Sequence, residues 1–352
     1  MKLSKRILSV FLALVLLFTL AACSSGGGES ASNGSGTSGD SSAGGDDSLK
    51  IGCLVFQEDM FMSLFDAGAQ AAAADYGVEI NSANSSNDAT RESEIIRTWT
   101  EQGLDGAVVM SPDMSTSLQT FSTAIDSGMT IVTADDQYEK NGSIDKGVLA
   151  SVTTMPEDLG RASGEAAVKY IQENMQGQDV KIGIIQFKAQ AAIASEGRSN
   201  GFLAALDDAG IEYEVVADQD AWLQDTAVTT ATDMLTANPD INILYAANDG
   251  GTVGTTMAVR NLGLGDKVAV FGTDASEQIC DMVLDESYRL IATTGQDAYQ
   301  NGYTCAEILI KSLLGEDVSE YEGKLAALDG LPLSRDDLAE VEEYKAKLEE
   351  LT

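Results

Sequence analysis

From Leu49 onward, short apolar runs alternate with amphipathic stretches of helical periodicity. Several apolar runs are continuous, which indicates strands with both faces buried. The βαβα order predicts parallel sheets covered by helices. The predicted strands are Leu49–Phe56, Val78–Asn81, Gly106–Met110, Thr130–Thr133, Gly147–Val152, Val180–Gln186, Glu212–Ala217, Ile243–Ala246, Val268–Gly272 and Leu290–Thr293. The predicted helices are Met62–Tyr76, Ala89–Gln102, Ser115–Asp126, Glu157–Asn174, Glu196–Asp208, Thr226–Thr236, Thr252–Leu262, Ser276–Asp285 and Ala298–Leu314.

The length of this region predicts two such sheets. Roughly 300 residues exceed what one hydrophobic core usually contains, so we expect an α/β protein with two Rossmann-like lobes. The charged run Ser334–Leu351 predicts a C-terminal amphipathic helix packed on the second lobe. In open parallel sheets, ligands bind beyond the carboxyl ends of the strands, so we expect the functional residues there.

The N-terminus indicates export. Lys2, Lys5 and Arg6 precede the apolar run Ile7–Leu20, which has the size of a secretory signal rather than of a membrane span. The run ends in Leu20-Ala21-Ala22-Cys23, which resembles a bacterial lipobox. We therefore predict a signal peptide over residues 1–22, a lipid on Cys23, and a flexible tether to residue 48, because 9 Ser and 8 Gly occupy the 25 residues after Cys23.

Composition removes several classes of function. The net charge of −35 opposes binding to nucleic acid or to anionic lipid headgroups. The chain has no histidine, which excludes catalytic arrangements and zinc sites that need one. The remaining cysteines, Cys53, Cys280 and Cys305, are expected to be small buried residues, with one disulfide left open. Neither a metal nor a cofactor is expected.

Polar and aromatic residues recur after the predicted strands of both halves. The candidate ligand-binding residues are Asp59, Phe61, Asp135, Arg198, Trp222, Asn248, Asp274 and Gln296, with Glu58, Asp136 and Glu196 as a second tier. Carboxylates accept hydrogen bonds, Arg donates, amides do both, and aromatic rings cover an apolar ring face, so the set suits a monosaccharide. The competing interpretation is that Asp and Asn at helix starts are N-caps.

On these residues the chain resembles the type I periplasmic sugar-binding proteins, above all those for galactose/glucose and ribose. The resemblance runs from about Leu49 to Leu351 and is carried by the candidate residues above together with several short motifs. These motifs are Asp59-Met60-Phe61-Met62-Ser63, Pro112-Asp113, Ala247-Asn248-Asp249 and Phe271-Gly272-Thr273-Asp274-Ala275. It implies that Asp59 bonds a hydroxyl, that Phe61 and Trp222 stack on the sugar, and that Arg198, Asn248, Asp274 and Gln296 complete the site.

The sequence also departs from the family pattern. Asp136 stands where Lys or Arg is frequent, and Glu196 stands where the ribose type has Arg. The segment Glu173–Lys181 has too few carboxylates for the calcium loop of the galactose type. Glu58, Asp136 and Glu196 either add acceptors for a polyol-rich or amino-bearing sugar or are solvated charges at the rim.

The resemblance implies two lobes joined by a three-strand hinge. The first lobe would take 49–152 and 297–326, and the second would take 153–296 and 327–352. It further implies an extracytoplasmic, lipid-anchored monomer that closes on a monosaccharide and presents it to the permease of an ABC importer. The lipid anchor would be its contact with the membrane, and no nucleic acid partner is expected.

Three alternatives are open at this stage. A sensor would present the same ligand, or a signal furanose, to a chemoreceptor or a histidine kinase. An enzyme would use Asp59, Asp135 and Asp274 as paired carboxylates. A transcription repressor of related fold is opposed by the signal peptide, the acidity and the lack of an N-terminal helix-turn-helix.

Overall fold

The computed structural model describes residues 48–111, 114–135 and 147–350, with the backbone alone for 114–116. The predicted signal peptide, Cys23 and the tether up to residue 47 lie outside the described residues. So do Pro112, Asp113 and Asp136.

The described chain contains alternating strands and helices. The strands are β1 (Lys50–Val55), β2 (Glu79–Asn84), β3 (Gly106–Val109), β4 (Thr130–Ala134), β5 (Ala150–Thr154), β6 (Val180–Gln186), β7 (Tyr213–Asp220), β8 (Ile243–Ala246), β9 (Ala269–Thr273), β10 (Leu290–Gly295), β11 (Lys324–Leu328) and β12 (Leu331–Ser334). The helices are α1 (Met60–Tyr76), α2 (Ala89–Gln102), α3 (Met114–Asp126), α4 (Pro156–Asn174), α5 (Lys188–Asp208), α6 (Gln224–Ala237), α7 (Asp249–Asn261), α8 (Glu277–Leu284), α9 (Ala298–Leu313) and α10 (Leu338–Glu350).

The strands form two six-stranded sheets of matching order. The first runs β11-β5-β4-β3-β1-β2 and the second β12-β10-β9-β8-β6-β7. All pairs are parallel except β10 with β12. The expected α/β fold of two parallel-sheet lobes is therefore confirmed, with one antiparallel edge strand that the sequence pattern did not predict.

Burial explains why these segments become strands. The central strands β3, β8 and β9 are buried at every residue, as expected for continuous apolar runs covered on both faces. The edge strands β2 and β7 are mostly exposed or half-buried, which explains their more polar sequences. Cys53, Cys280 and Cys305 are each buried, and no disulfide joins any two of them, in agreement with their expected role as small core residues.

The chain passes between the two sheets three times within the described residues. These passages follow β5, β10 and β11, at residue 155, at 296–297 and at 329–330. After the second passage, α9 packs on α1 and on the first sheet, and after the third passage α10 packs on α8 and β12. Three short connecting segments between two lobes are the kind of hinge that allows such a two-lobed fold to close.

The last part of the chain differs in detail from the sequence-based expectation. Strand β11 extends to Leu328 in the first sheet, beyond the boundary predicted at 326. The helix predicted from Ser334 begins at Leu338, because Leu331–Ser334 pairs with β10 as β12. Within the described part of the chain, none of the helices is both long and apolar enough to span a bilayer.

Candidate functional site

A cleft of about 1230 Å³ lies at the carboxyl ends of the strands and draws its walls from both lobes. The first lobe contributes Phe61, Ser111 and Asp135, which follow β1, β3 and β4. The second lobe contributes Asp249 and Asp274, which follow β8 and β9. Gln296, in the second passage between the sheets, also lines the cleft. This is the location that an open parallel sheet predicts for a ligand.

The backbone is strained where it meets this cleft. Four non-glycine residues of the described chain have a positive φ, and three of them, Asn87, Asp135 and Asp274, line the cleft. Left-handed backbone is costly for residues with a side chain and concentrates at functional sites. Three of the four left-handed non-glycine residues of the described chain therefore cluster at this cleft, which makes it the candidate functional region.

Asp135 and Asp274 occupy corresponding positions in the two lobes. Asp135 follows β4 with φ 54°, and Asp274 follows β9 with φ 76°, each strand being the fourth of its lobe. The backbone N–H of Asp135 donates to the carbonyl of Val152 at 2.9 Å, and that of Asp274 donates to Thr294 at 2.9 Å. The two lobes thus present one carboxylate each to the cleft by the same local construction.

Burial raises the pKa of the Asp135 carboxyl to about 6. Three neighbours oppose this shift: the Thr153 hydroxyl donates to Oδ1 at 3.0 Å, the Arg198 charge lies close enough to act, and the Asn301 amide donates to Oδ1 at 3.3 Å. A half-buried carboxylate held in this way is an acceptor with a fixed orientation. Because Arg198 belongs to the second lobe, its field reaches Asp135 across the cleft.

Arg198 lies behind the cleft wall rather than on it. Its Nη1 donates to the carbonyl of Ala247 at 2.9 Å and forms an ion pair with Oδ2 of Asp274 at 3.4 Å. The guanidinium also lies over the Phe187 ring, 5.1 Å from its centroid. Its buried Nε has no hydrogen-bond partner among the described residues, so this cation retains an unused donor.

Asn248, a predicted ligand residue, caps a helix, and its neighbour Asp249 lines the cleft. The Asn248 side chain caps α7 by accepting from the Gly251 N–H, and its amide donates to the carbonyl of Trp222 at 3.0 Å. Asp249 lines the cleft instead, and its N–H donates to Asp274 at 2.8 Å. Burial raises the pKa of Asp249, and the charge of Asp274 raises it further.

Asp59 caps helix α1 and also lines the cleft. Its Oδ1 accepts from the Met62 N–H at 2.8 Å and begins α1, while its other oxygen accepts from the Gln57 amide. Asp59 and Phe61 both line the cleft, and the ligand role of Asp59 stays a prediction beside its observed N-cap role.

Three further candidate residues do not line the cleft: Trp222, Glu58 and Glu196. Trp222 is half-buried against the core of the second lobe, and the two glutamates are exposed. Their roles toward a ligand therefore stay predictions.

Several cleft residues were not among the candidates. Gln57, Asn87, Glu277 and Gln278 come from turns and helix starts, and Tyr344 and Leu348 come from α10. The turn residues follow β1, β2 and β9, so the strand-end rule could have found them. The α10 residues could not be found in that way, because a helix at the end of the chain carries no strand-end signal. No group of His, Cys, Asp and Glu fit to hold a metal ion occurs among the described residues.

These features define a two-lobed α/β protein with a ligand-sized cleft between its lobes. A family model, the periplasmic binding protein domain, matches residues 53–317. The ABC transporter periplasmic-binding protein YphF of Escherichia coli K12 is 26% identical over 236 residues, which are 66% of this chain and 71% of that protein. The ribose import binding protein RbsB of Bacillus subtilis 168 is 26% identical over 323 residues, which are 90% of this chain and 96% of that protein.

The fold has solved counterparts as well. An ABC transporter periplasmic solute-binding protein of Actinobacillus succinogenes 130z with bound D-allose has a TM-score of 0.68 at 20% identity, covering 84% of this chain and all of that one. The chain belongs to the periplasmic binding protein family, in its type I sugar-binding branch. Its relatives are binding proteins of ABC transporters, and the chain is not an enzyme.

Proposed function

We propose that the cleft binds a monosaccharide and that the protein delivers it to an ABC importer. The ribose import and D-allose relatives support a pentose or hexose as the ligand class. The lipobox-like Leu20–Cys23 sequence supports a lipid-anchored protein outside the cytoplasm, which we propose to act as a monomer. As proposed ligand residues we retain Asp59, Phe61, Asp135, Arg198, Trp222, Asn248, Asp274 and Gln296, and we add Asp249.

The pairing of Asp135 with Asp274 carries this proposal. One fixed carboxylate on each lobe can accept from different hydroxyls of one small ring, so the ligand joins the lobes. Closure then removes water and strengthens each hydrogen bond. Phe61 supplies an apolar face at the same cleft.

A thermal-shift screen tests the proposal. The folded body, residues 48–352, is heated with D-ribose, D-allose, D-arabinose, D-galactose, D-glucose, myo-inositol, D-glucosamine and a set of amino acids. A ligand that binds only the folded state stabilises it, by about 2.7 kcal/mol when its concentration is 100 times its Kd. The melting temperature rises as a result. We expect a shift with at least one sugar and none with amino acids. A shift with amino acids alone would contradict the sugar assignment.

Sugar affinity is expected to fall as the pH drops through about 6. Sugar hydroxyls that donate to Asp135 favour its ionised form, so binding lowers the pKa of this carboxyl and protonation opposes binding. The loss approaches about ten-fold per pH unit below 6 until the pKa of the bound form is reached. Titration calorimetry from pH 7.5 to 5 measures it.

The effect of pH on folding stability distinguishes this loss of sugar affinity from unfolding. The pKa of Asp135 is raised in the folded protein, so the folded state binds more protons and this group stabilises the free protein as the pH falls from 6 towards 4. The Asp135→Asn variant should bind more weakly but with a flatter pH profile. A profile as steep as that of the wild type would assign the titration to another group.

A further inference from the structure

The Asp135 carboxylate is held by two neutral donors from distant parts of the chain. The Thr153 hydroxyl of β5 donates to its Oδ1 at 3.0 Å, and the Asn301 amide of α9 donates to the same oxygen at 3.3 Å. An ionised carboxylate can only accept hydrogen bonds, so both contacts are donations to it. Arg198, on α5 of the second lobe, is the charged group that faces Asp135 among the described residues.

Asn301 is an unusual residue for its place in helix α9. It is 1% exposed, although asparagine is a poor helix former and a buried amide needs partners. Its side-chain oxygen lies 3.4 Å from Sγ of Cys305, one turn further along the helix, and its nitrogen faces Asp135. Both ends of the amide are therefore bonded inside the protein, and one end is directed at a carboxylate that lines the cleft.

The two donors reach one oxygen of Asp135 and leave the other. Within the part of the chain that the structure describes, no protein group donates to Oδ2. Because Asp135 lines the cleft, Oδ2 is the oxygen that remains to accept from a ligand. Thr153 shortly precedes the passage at residue 155, and Asn301 shortly follows the passage at 296–297, so the carboxylate is fixed to the ends of two hinge segments.

We propose that Thr153 and Asn301 are positioning residues, which hold Oδ1 of Asp135 so that Oδ2 accepts from a hydroxyl of the ligand. The inference rests on the proposed function and deepens it, because it names the residues that fix the first-lobe carboxylate although neither of them lines the cleft. Two donors on one oxygen favour the ionised form of the carboxyl. A carboxylate that is oriented before the sugar arrives also loses less freedom on binding.

The first experiment follows the Asp135 carboxyl in the ligand-free protein. Its titration is measured by carbon-13 NMR of protein labelled at the aspartate carboxyl carbons, and its signal is the one that is missing from Asp135→Asn. Asn301→Leu and Thr153→Val each remove one donor at nearly constant volume. We expect either substitution to raise the pKa of Asp135 from about 6 by at least about half a pH unit, because hydrogen bonds to the ionised form hold it down.

Gln300→Leu is the matched control for the asparagine. Gln300 is the exposed neighbour of Asn301 on the same helix, bonds Thr304 at 3.1 Å and does not line the cleft. The pKa of Asp135 should keep its wild-type value in this variant. Urea unfolding shows whether each protein is folded. Thr153→Val keeps the test decisive if Asn301→Leu does not fold.

Sugar binding supplies a second readout. The probe is the sugar that gives the largest shift in the thermal screen. Asn301→Leu should weaken its binding at least about three-fold, and the fall in affinity with pH should begin at a higher pH. In an Asp135→Asn background the same substitution should have a smaller effect, because no charged oxygen is left to position. A purely structural role of Asn301 would weaken binding equally in both backgrounds and leave the pH profile in place.

Two results would overturn the inference while leaving the proposed function intact. One is an unchanged pKa of Asp135 in folded Asn301→Leu or in folded Thr153→Val. The other is a loss of affinity in Asn301→Leu that is equally large in the Asp135→Asn background. A screen in which no sugar binds contradicts the proposed function instead, and the titration of the free protein still decides whether the two donors hold Asp135.

Discussion

Sugar affinity is expected to fall about 100-fold when Asp274 is changed to Asn. Asp274 meets Arg198 at 3.4 Å and the Asp249 N–H at 2.8 Å, and it lines the cleft from a strained backbone position. A carboxylate that accepts from a sugar hydroxyl forms a charge-assisted hydrogen bond worth about 1.5–3 kcal/mol, which the neutral amide does not replace in full, and a 100-fold loss of affinity corresponds to about 2.7 kcal/mol. Titration calorimetry of the wild type and the variant with the same sugar measures the effect.

The Asp274→Asn variant keeps the volume of the side chain and an oxygen that can still accept from Asp249. Its fold is checked by urea unfolding, so that lost affinity is not mistaken for lost structure. Asp88→Asn is the control, because the Asp88 side chain caps α2 without lining the cleft and Asn caps a helix equally well. Affinity within about three-fold of the wild type in folded Asp274→Asn would contradict the account of the site.

Replacing Gly160 with Ala is expected to destabilise the protein by about 3 kcal/mol and to weaken sugar binding as well. Helices α4 and α5 pack closely, and a Cβ on Gly160 would lie 1.7 Å from the backbone oxygen of Arg198. The contact is with backbone, so the helices must separate, and overpacking of this kind costs about 1–3 kcal/mol or more. The helix that moves carries Arg198, so the ion pair with Asp274 is disturbed.

The sign of this prediction is informative, because Ala is the better helix former and would stabilise an uncrowded helix by about 1 kcal/mol. Gly265→Ala, in the turn before β9, is the control for adding a Cβ that meets no backbone, since the contact within 4 Å of that Cβ is the flexible Arg289 side chain at 3.3 Å. Urea unfolding gives the free energies. A Gly160→Ala protein as stable as the wild type would contradict the close packing of α4 on α5.

Most of the sheet architecture could be predicted because buried parallel strands leave a local signal. Strands such as β3, β8 and β9 are short apolar runs that are buried throughout, and their pattern needs no knowledge of the partner strand. The strands β11 and β12 leave no such signal. They are short, mostly half-buried or exposed, and defined by pairing with β5 and β10, which lie far away in the sequence.

The start of helix α5 could not be predicted from the sequence, for a different reason. Its predicted start was Glu196, but the structure begins it at Lys188, with a break at Ala191 where φ is −148°. The first turns contain mainly small residues and have no apolar stripe to reveal a helix. The break lies where the chain leaves β6 toward the cleft, and Arg198 follows two turns later.

The candidate site was predictable where a residue directly follows a strand. Asp135 and Asp274 were found by that rule, and both line the cleft. Glu92, which is buried behind the cleft-lining Ser111, could not be identified from the sequence, because an acidic residue in a helix normally indicates solvent exposure. Tyr344 reaches the cleft because α10 packs beside α8, a contact between distant segments.

Titration calorimetry with the sugar that gives the largest thermal shift tests the central claim most directly. The account predicts one saturable site per chain, with affinity reduced about 100-fold in Asp274→Asn and also reduced in Asp135→Asn, since the ligand must contact a carboxylate on each lobe. Affinity that neither substitution changes would place the ligand elsewhere and would contradict capture between the two lobes.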